Sequence, residues 1–173
     1  MKRIVLLILS VMLCISLFGC SGGKEDNFSD WKFVYLDYEK LDYDIIAIQY
    51  KIKNSTSKNW EDKTAFSSGS NQLKLGSNEY DWYYPNNADI GSKQLLGFDG
   101  WAKEPKEADS IMGGQDLMVM VCFRVNPNDF SKDMKNAKLK ISYKYLKYTK
   151  EISYEDFEVI KVNSWDAYHG WTY

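Results

Sequence analysis

The sequence predicts an all-β protein, an antiparallel sandwich of about seven to eight strands. Several segments alternate between apolar and polar side chains at every second residue, and polar turns separate them. No stretch of ten or more residues carries apolar side chains at a convincing helical spacing. Some strands are apolar on both faces, which favours two packed sheets over a single sheet with one solvated face.

The first residues predict an export signal rather than part of this fold. Lys2 and Arg3 precede an apolar stretch at residues 4–18. That stretch is shorter than the ~20 residues of a membrane-spanning helix, and a basic start before a short apolar run is typical of a secretory signal peptide. Ordinary secretion and an uncleaved signal anchor remain as alternatives to the interpretation that follows.

The signal ends in Leu17-Phe18-Gly19-Cys20, which resembles the lipobox of bacterial lipoproteins. The resemblance implies that residues 1–19 are removed and that the Cys20 thiol receives a diacylglyceryl group. It also implies acylation of the new amino terminus, and two or three acyl chains hold a protein firmly on a membrane. The predicted location is therefore the extracytoplasmic face of the cell membrane.

Behind Cys20, residues 20–29 are mostly small and polar, which predicts a flexible tether. Residues 30–173 are long enough for one β-sandwich domain, in which residues 147–173 form an added hairpin or tail. The formal charge of −2 becomes more negative once the two basic signal residues are lost. We therefore expect no nucleic-acid partner. Without the signal and the acylated Cys20, Cys122 is the last cysteine, so no intrachain disulfide is expected.

Three segments give the clearest strand patterns. Residues 43–53 predict a half-buried strand, with Ile46, Ile48, Tyr50 and Ile52 on the buried face. Residues 115–125 are apolar on both faces up to Arg124, which predicts a central strand. Residues 138–146 alternate apolar residues with lysines and a serine, as expected for a strand with one solvated side. Weaker strands are predicted at residues 31–38, 72–75, 80–84, 95–98 and 149–160, and a short helical turn at 128–134.

The order of these features resembles the immunoglobulin-like lipoprotein domains of unknown function found in Gram-positive bacteria, akin to small secreted immunoprotective antigens. The resemblance depends on the lipobox and tether, the strand ending in Asn54-Ser55, the Gly113-Gly114 pair before a long apolar strand, and the strand at 137–143. It implies an extracellular immunoglobulin-like sandwich without a known catalytic site.

Aromatic residues supply the candidate binding surface. The chain has 6 Trp and 13 Tyr, and they concentrate in two places. Such side chains suit recognition of a protein or a sugar ring, although they are also good strand and core residues. Trp82 and Tyr83 are consecutive, so in a strand they face opposite sides. The candidate residues are Trp82, Tyr83, Tyr84, Trp165, Tyr168 and Trp171.

Acidic residues cluster between the first two strands. Asp37, Glu39, Asp42 and Asp44 are a weak candidate for a calcium site, because calcium takes six to eight oxygen ligands. Their spacing lacks the pattern of an EF-hand loop, so a solvated turn is the main expectation. No metal and no cofactor are expected.

These observations predict a non-catalytic binding module for a protein or a cell-wall glycan, held on the bilayer through acylated Cys20. The alternative is a structural or accessory subunit of an envelope complex that binds no small ligand. A hydrolase is the least expected class, since no nucleotide fingerprint is present and His169, the one histidine, lies near the end of the chain.

Overall fold

The computed structural model describes residues 27–39, 41–61, 71–83, 110–132, 134, 136–143 and 146–162. Short 3-10 turns lie at Pro127–Asp129 and Tyr154–Asp156. Within these ranges no helix is long and apolar enough to cross a membrane. The strands are β1 (Phe28–Tyr38), β2 (Asp44–Lys53), β3 (Trp60–Glu61), β4 (Asn71–Leu75), β5 (Asn78–Asp81), β6 (Ser110–Ile111), β7 (Asp116–Val125), β8 (Ala137–Tyr143), β9 (Leu146–Ile152) and β10 (Glu158–Val162).

Among the described residues, two four-stranded sheets form the sandwich, and β3 and β6 pair separately. The first sheet has the order β10-β1-β2-β7 and the second has the order β5-β4-β8-β9. Strands β1, β2 and β7 correspond to strands A, B and E of an immunoglobulin-like sandwich, and β4, β5, β8 and β9 to strands C, C′, F and G. The predicted all-β, immunoglobulin-like sandwich is confirmed. Strand β10 is an addition, and it pairs parallel to β1.

The second sheet alternates as the sequence predicts. In β8, Leu139 and Ile141 are buried, while Lys138 and Lys140 are partly exposed on the other face. The lysines face carboxylates of the same sheet: Lys138 pairs with Glu151 on the neighbouring strand β9 at 3.0 Å, and Lys140 reaches across β4 to Glu79 on β5 at 2.8 Å. This sheet therefore packs one face on the core and exposes the other to solvent.

Strand β2 of the first sheet is buried on both faces over residues 44–50, which corrects the prediction that residues 43–53 form a half-buried strand. On its inner face Ile46, Ile48 and Tyr50 pack against the second sheet. On its outer face Ile45 and Ala47 belong to a separate apolar cluster and are almost wholly buried. Because Ala47 is small and Gln49 is polar, the sequence of this outer face does not signal burial.

Strand β7 has the two faces that the sequence predicts. Val119, Val121 and Phe123 face the core, whereas Met120 and Cys122 belong to the outer cluster. The prediction of a central strand is wrong for the described residues, because β7 ends the order of its sheet. Beyond it, Tyr83 forms an isolated bridge with Cys122.

Strand β1 starts at Phe28, before the predicted residue 31, and a bulge interrupts the alternating pattern near its beginning. Its register with β2 shifts between Ser29 and Lys32, and Asp30 has a positive φ of 52°. The extra residue changes the alternation, so that both Phe28 and Trp31 pack against the core. Asn27 and Phe28 are buried, so the tether predicted for residues 20–29 ends before Asn27.

The strand predicted at residues 149–160 is two strands in different sheets. The turn at Tyr154–Asp156 separates them, and the Ser153 backbone N–H donates to the Asp156 carboxylate at 2.7 Å. Strand β9 borders the second sheet and β10 borders the first. Residues 146–162 are therefore part of the sandwich rather than a tail.

The remaining short predictions have mixed outcomes. Strand β4 matches the prediction at residues 72–75, and β5 lies two residues earlier than the predicted 80–84. The helical turn predicted at 128–134 occurs as a 3-10 turn one residue earlier. The pairing of β3 with β6 was not predicted, and residues 95–98 lie outside the described ranges.

Candidate functional site

The two candidate residues after β5 lie where the chain passes from the second sheet to the first. Trp82 packs against the sandwich core, while Tyr83 packs against the outer cluster of the first sheet. The Tyr83 N–H donates to the Cys122 carbonyl at 2.8 Å, and the Cys122 N–H donates to the Tyr83 carbonyl at 3.1 Å. The two side chains face opposite sides, and both are partly buried. Each one therefore contributes to packing.

An arginine lies between two tyrosine rings at the edge of the outer face. The Arg124 guanidinium carbon is 5.0 Å from the centre of the Tyr43 ring and 5.1 Å from the centre of the Tyr83 ring. Arg124 is exposed, and both tyrosines are partly buried. Distances of this size allow cation–π attraction between the guanidinium and each ring. We call Tyr43, Arg124 and Tyr83 the Arg124 cluster.

The strand register brings these three residues together. Arg124 lies opposite Ile45 on β2, and Tyr83 lies opposite Cys122 on β7. Tyr43 is two residues before Ile45, and Cys122 is two residues before Arg124. Since side chains two residues apart share a face, all three project from the outer face of the first sheet.

A buried carboxylate holds the turn from which Tyr43 projects. The carboxylate of Asp44 accepts hydrogen bonds from the Tyr35 hydroxyl and, at 2.9 Å, from the Tyr38 backbone N–H. Burial raises the pKa of Tyr35 above its ordinary value, and the hydrogen bond to Asp44 raises it further. The Tyr35 hydroxyl therefore stays protonated and continues to donate at neutral pH.

These contacts also decide the calcium hypothesis. Asp44 is buried and engaged by two tyrosine groups, Asp37 is half-buried in β1, and Glu39 and Asp42 are exposed in the turn. Among the described residues no group of three or more His, Cys, Asp or Glu side chains is arranged to hold a metal ion. The proposed calcium site of Asp37, Glu39, Asp42 and Asp44 is not formed, because Asp44 belongs to the interior.

Chemically, the Arg124 cluster is suited to binding anionic groups. A guanidinium offers five N–H donors in a planar fork that matches carboxylate and phosphate oxygens. The flanking rings restrict the orientation of that fork, and they offer apolar contact area beside it.

Sequence reasoning found Tyr83 and missed Arg124 and Tyr43. The available signal was weak: Arg124 is the one charged residue inside the apolar run at 117–125. Cys122 is a buried free thiol, as its apolar neighbours predict. The predicted lipidation site and four predicted aromatic residues lie outside the described ranges, namely Cys20, Tyr84, Trp165, Tyr168 and Trp171.

The fold and its strand order define the chain as an all-β, immunoglobulin-like sandwich. No protein-family model matches it, and no curated protein matches it either. It is similar to a solved structure described as that of a functionally unknown protein from Listeria monocytogenes EGD-e. The two chains are 18% identical with a TM-score of 0.38, over 57% of this chain and 47% of the other. The chain thus matches less than half the length of that protein.

Proposed function

We propose that this protein is a lipid-anchored module at the extracytoplasmic face of the cell membrane that binds a protein or a cell-wall glycan without catalysing a reaction. The lipobox at residues 17–20 supports the location. The observation that carries the binding role is the exposed residue Arg124, whose guanidinium carbon is 5.0 and 5.1 Å from the centres of two tyrosine rings.

The chemistry of the cluster narrows the ligand. An arginine fork recognises carboxylates or phosphates, and the adjacent rings suit a sugar or an apolar side chain next to them. A wall polymer with acidic groups fits this description, as does an acidic patch on a protein. In both cases the anionic group binds Arg124 and the neighbouring surface packs on Tyr43 or Tyr83.

Binding is tested with the full-length acylated protein in detergent and purified cell-wall polymer. We expect Arg124→Gln to weaken retention about 10-fold or more, because a charged hydrogen-bonding partner contributes about 1.5–3 kcal/mol. Arg124→Lys keeps the charge but loses the fork, so it should recover only part of the retention. Lys161→Gln is the matched control, since Lys161 is an exposed cation on β10 of the same sheet.

The outcome separates binding from structure. The binding role of the cluster would be contradicted by two results together. Arg124→Gln would be retained on wall polymer as strongly as the wild type, and it would crosslink in cells to the same protein partners. An accessory subunit is the second candidate, and the packing of Trp82 and Tyr83 against the protein's own clusters favours it. In that case crosslinking recovers one dominant partner, which Arg124→Gln leaves in place.

Anchoring has its own test. Cells that make the protein are fed labelled palmitate, and we expect label in the wild type and none in Cys20→Ala. The variant should also leave the membrane fraction or keep the mass of its precursor. Wild-type protein that carries no label would refute the lipid anchor.

A further inference from the structure

One end of the sandwich is formed by loops that the backbone joins tightly. Strand β2 ends there and β7 begins there. The Asn54 N–H donates to the Gln115 carbonyl at 3.0 Å, and the Gly114 N–H donates to the Asn54 carbonyl at 2.8 Å. We call this region, residues 53–59 and 111–116, the Met112 end.

The side chain of Asn54 locks the two loops together. Its amide nitrogen donates to the carbonyls of Lys58 at 2.8 Å and Ile111 at 2.9 Å. Its amide oxygen accepts from the Thr56 backbone N–H at 3.1 Å and the Thr56 hydroxyl at 2.7 Å. Asn54 is fully buried, and these four bonds use the hydrogen-bonding capacity of its amide.

This locked turn presents an exposed apolar side chain. Met112 is 52% exposed, the highest fraction of any large apolar side chain among the described residues. The following Gly113 packs so closely that an added Cβ would lie 2.7 Å from the Ser57 carbonyl carbon. The Gly113 N–H also donates to the Asn59 side chain at 3.2 Å. Met112 therefore cannot withdraw into the core without breaking the turn.

The chain enters the sandwich at the same end. The Asn27 side chain donates to the Lys53 carbonyl at 2.8 Å and to the Ser55 hydroxyl at 3.3 Å. Cys20 precedes Asn27 by seven positions, and a fully extended chain of that length reaches at most about 25 Å. Acyl chains on Cys20 would therefore keep the membrane surface close to Met112.

We propose that the Met112 end faces the bilayer and that the Met112 side chain enters its headgroup region. This inference rests on the proposed acylation of Cys20. Lys53 and Lys58 are exposed on this end, with Asp116 opposite Lys53 in the strand register. The two lysines face anionic headgroups, which attract cations close to the membrane surface.

The same orientation directs the Arg124 cluster away from the membrane. Arg124 lies opposite Ile45, near the start of β2, whereas the Met112 end follows Lys53 at its other end. A strand of this length spans about 30 Å. The anchor and the proposed binding surface are thus at opposite ends of the sandwich, which leaves the cluster accessible to partners in the cell envelope.

The test uses the full-length acylated protein in vesicles of phosphatidylcholine and phosphatidylglycerol. An environment-sensitive fluorophore is attached through Met112→Cys or, as the matched control, through Asp42→Cys, which lies in an exposed turn at the opposite end. We expect emission from position 112 to shift to shorter wavelength and to be quenched by headgroup-nitroxide lipids. Emission from position 42 should show neither effect.

The outcomes distinguish this inference from the anchor itself. Equal quenching at both positions, or stronger quenching at position 42, overturns the orientation while vesicle binding leaves the anchor intact. Protein without acyl label that fails to bind vesicles overturns the anchor and this inference with it. In vesicles of phosphatidylcholine alone, quenching at position 112 should decrease. Unchanged quenching there would contradict the role of the lysines.

Discussion

The two sheets of this sandwich differ in the burial of their outer faces. In the second sheet, Leu139 and Ile141 face the core while Lys138 and Lys140 face solvent. In the first sheet, Ala47 and Cys122 are as completely buried on the outer face as Ile48 is on the inner face. Alternation along a strand identifies the face that packs on the core, but it does not show whether the opposite face is solvated.

The largest difference in unfolding free energy is expected when a lysine is introduced on the outer face of each sheet in turn. Ala47 lies between Val34 and Cys122 in the register, and all three are fully buried. We expect Ala47→Lys to lower the free energy of unfolding by about 3 kcal/mol or more, since it buries an unpaired charge. Urea denaturation measures the change.

Gln72→Lys provides the matched substitution on the second sheet. Gln72 is partly exposed and lies between Asp81 on β5 and Lys140 on β8. A lysine there gains one opposite and one like charge at a solvated site, so the change in unfolding free energy should stay within about 0.5 kcal/mol. Similar effects of the two substitutions would mean that the outer face of the first sheet is solvated in solution.

A smaller change in unfolding free energy is expected from the contact between the sheets, and this change depends on pH. The Tyr50 hydroxyl on β2 donates to the Asn71 side-chain oxygen on β4 at 2.8 Å, and burial raises the pKa of Tyr50 well above its ordinary value of 10.0. A raised pKa means that the native state retains a proton that the unfolded state loses. The stabilisation is fully present below pH 10 and falls as the pH rises, by about 1.4 kcal/mol per pH unit for Tyr50.

Urea denaturation at pH 8, 10 and 11 measures this slope. The raised pKa of Tyr35 acts in the same direction. Tyr50→Phe should reduce the slope, and at neutral pH it should cost about 1–2 kcal/mol because Asn71 loses its donor. An unchanged slope in the variant would show that Tyr50 does not cause the loss of stability.

The smallest effect is expected on the solvated face of the second sheet. Lys140 and Glu79 form an ion pair at 2.8 Å, and the hydrogen bond from Lys140 lowers the pKa of Glu79. A lowered pKa stabilises the fold above the ordinary pKa of the carboxyl, and that contribution is lost as the pH falls. Lys140→Ala should therefore shift the urea midpoint only slightly at pH 7, and high salt should remove the difference. A large, salt-independent shift would contradict a solvated face.

Local pattern was sufficient to predict the fold class and the core faces of the strands. Ile46, Ile48, Tyr50 and Ile52 were assigned to the buried face of one strand, and all four belong to the core as predicted. The bulge at Asp30 and the separation of β9 from β10 were missed. Neither has a local signal, because the bulge depends on how Phe28 and Trp31 both reach the core, and the separation depends on which sheet each segment joins.

The candidate site was predictable only in part for the same reason. Tyr83 was identified by composition, whereas Arg124 and Tyr43 become neighbours through the register of Ile45 with Arg124. A single sequence does not specify that register. The acidic turn was misjudged in a related way, since the burial of Asp44 follows from the positions of Tyr35 and Tyr38 on the adjacent strand.

The parallel pairing of β1 with β10 has a consequence for biogenesis. Val34 pairs with Glu158, so β1, the first strand of the described residues, gains this neighbour only after residues 158–162 have been made. Contacts so distant along the chain slow folding. The β1 edge of the first sheet consequently stays open until then, and we expect it to be the last part of that sheet to form.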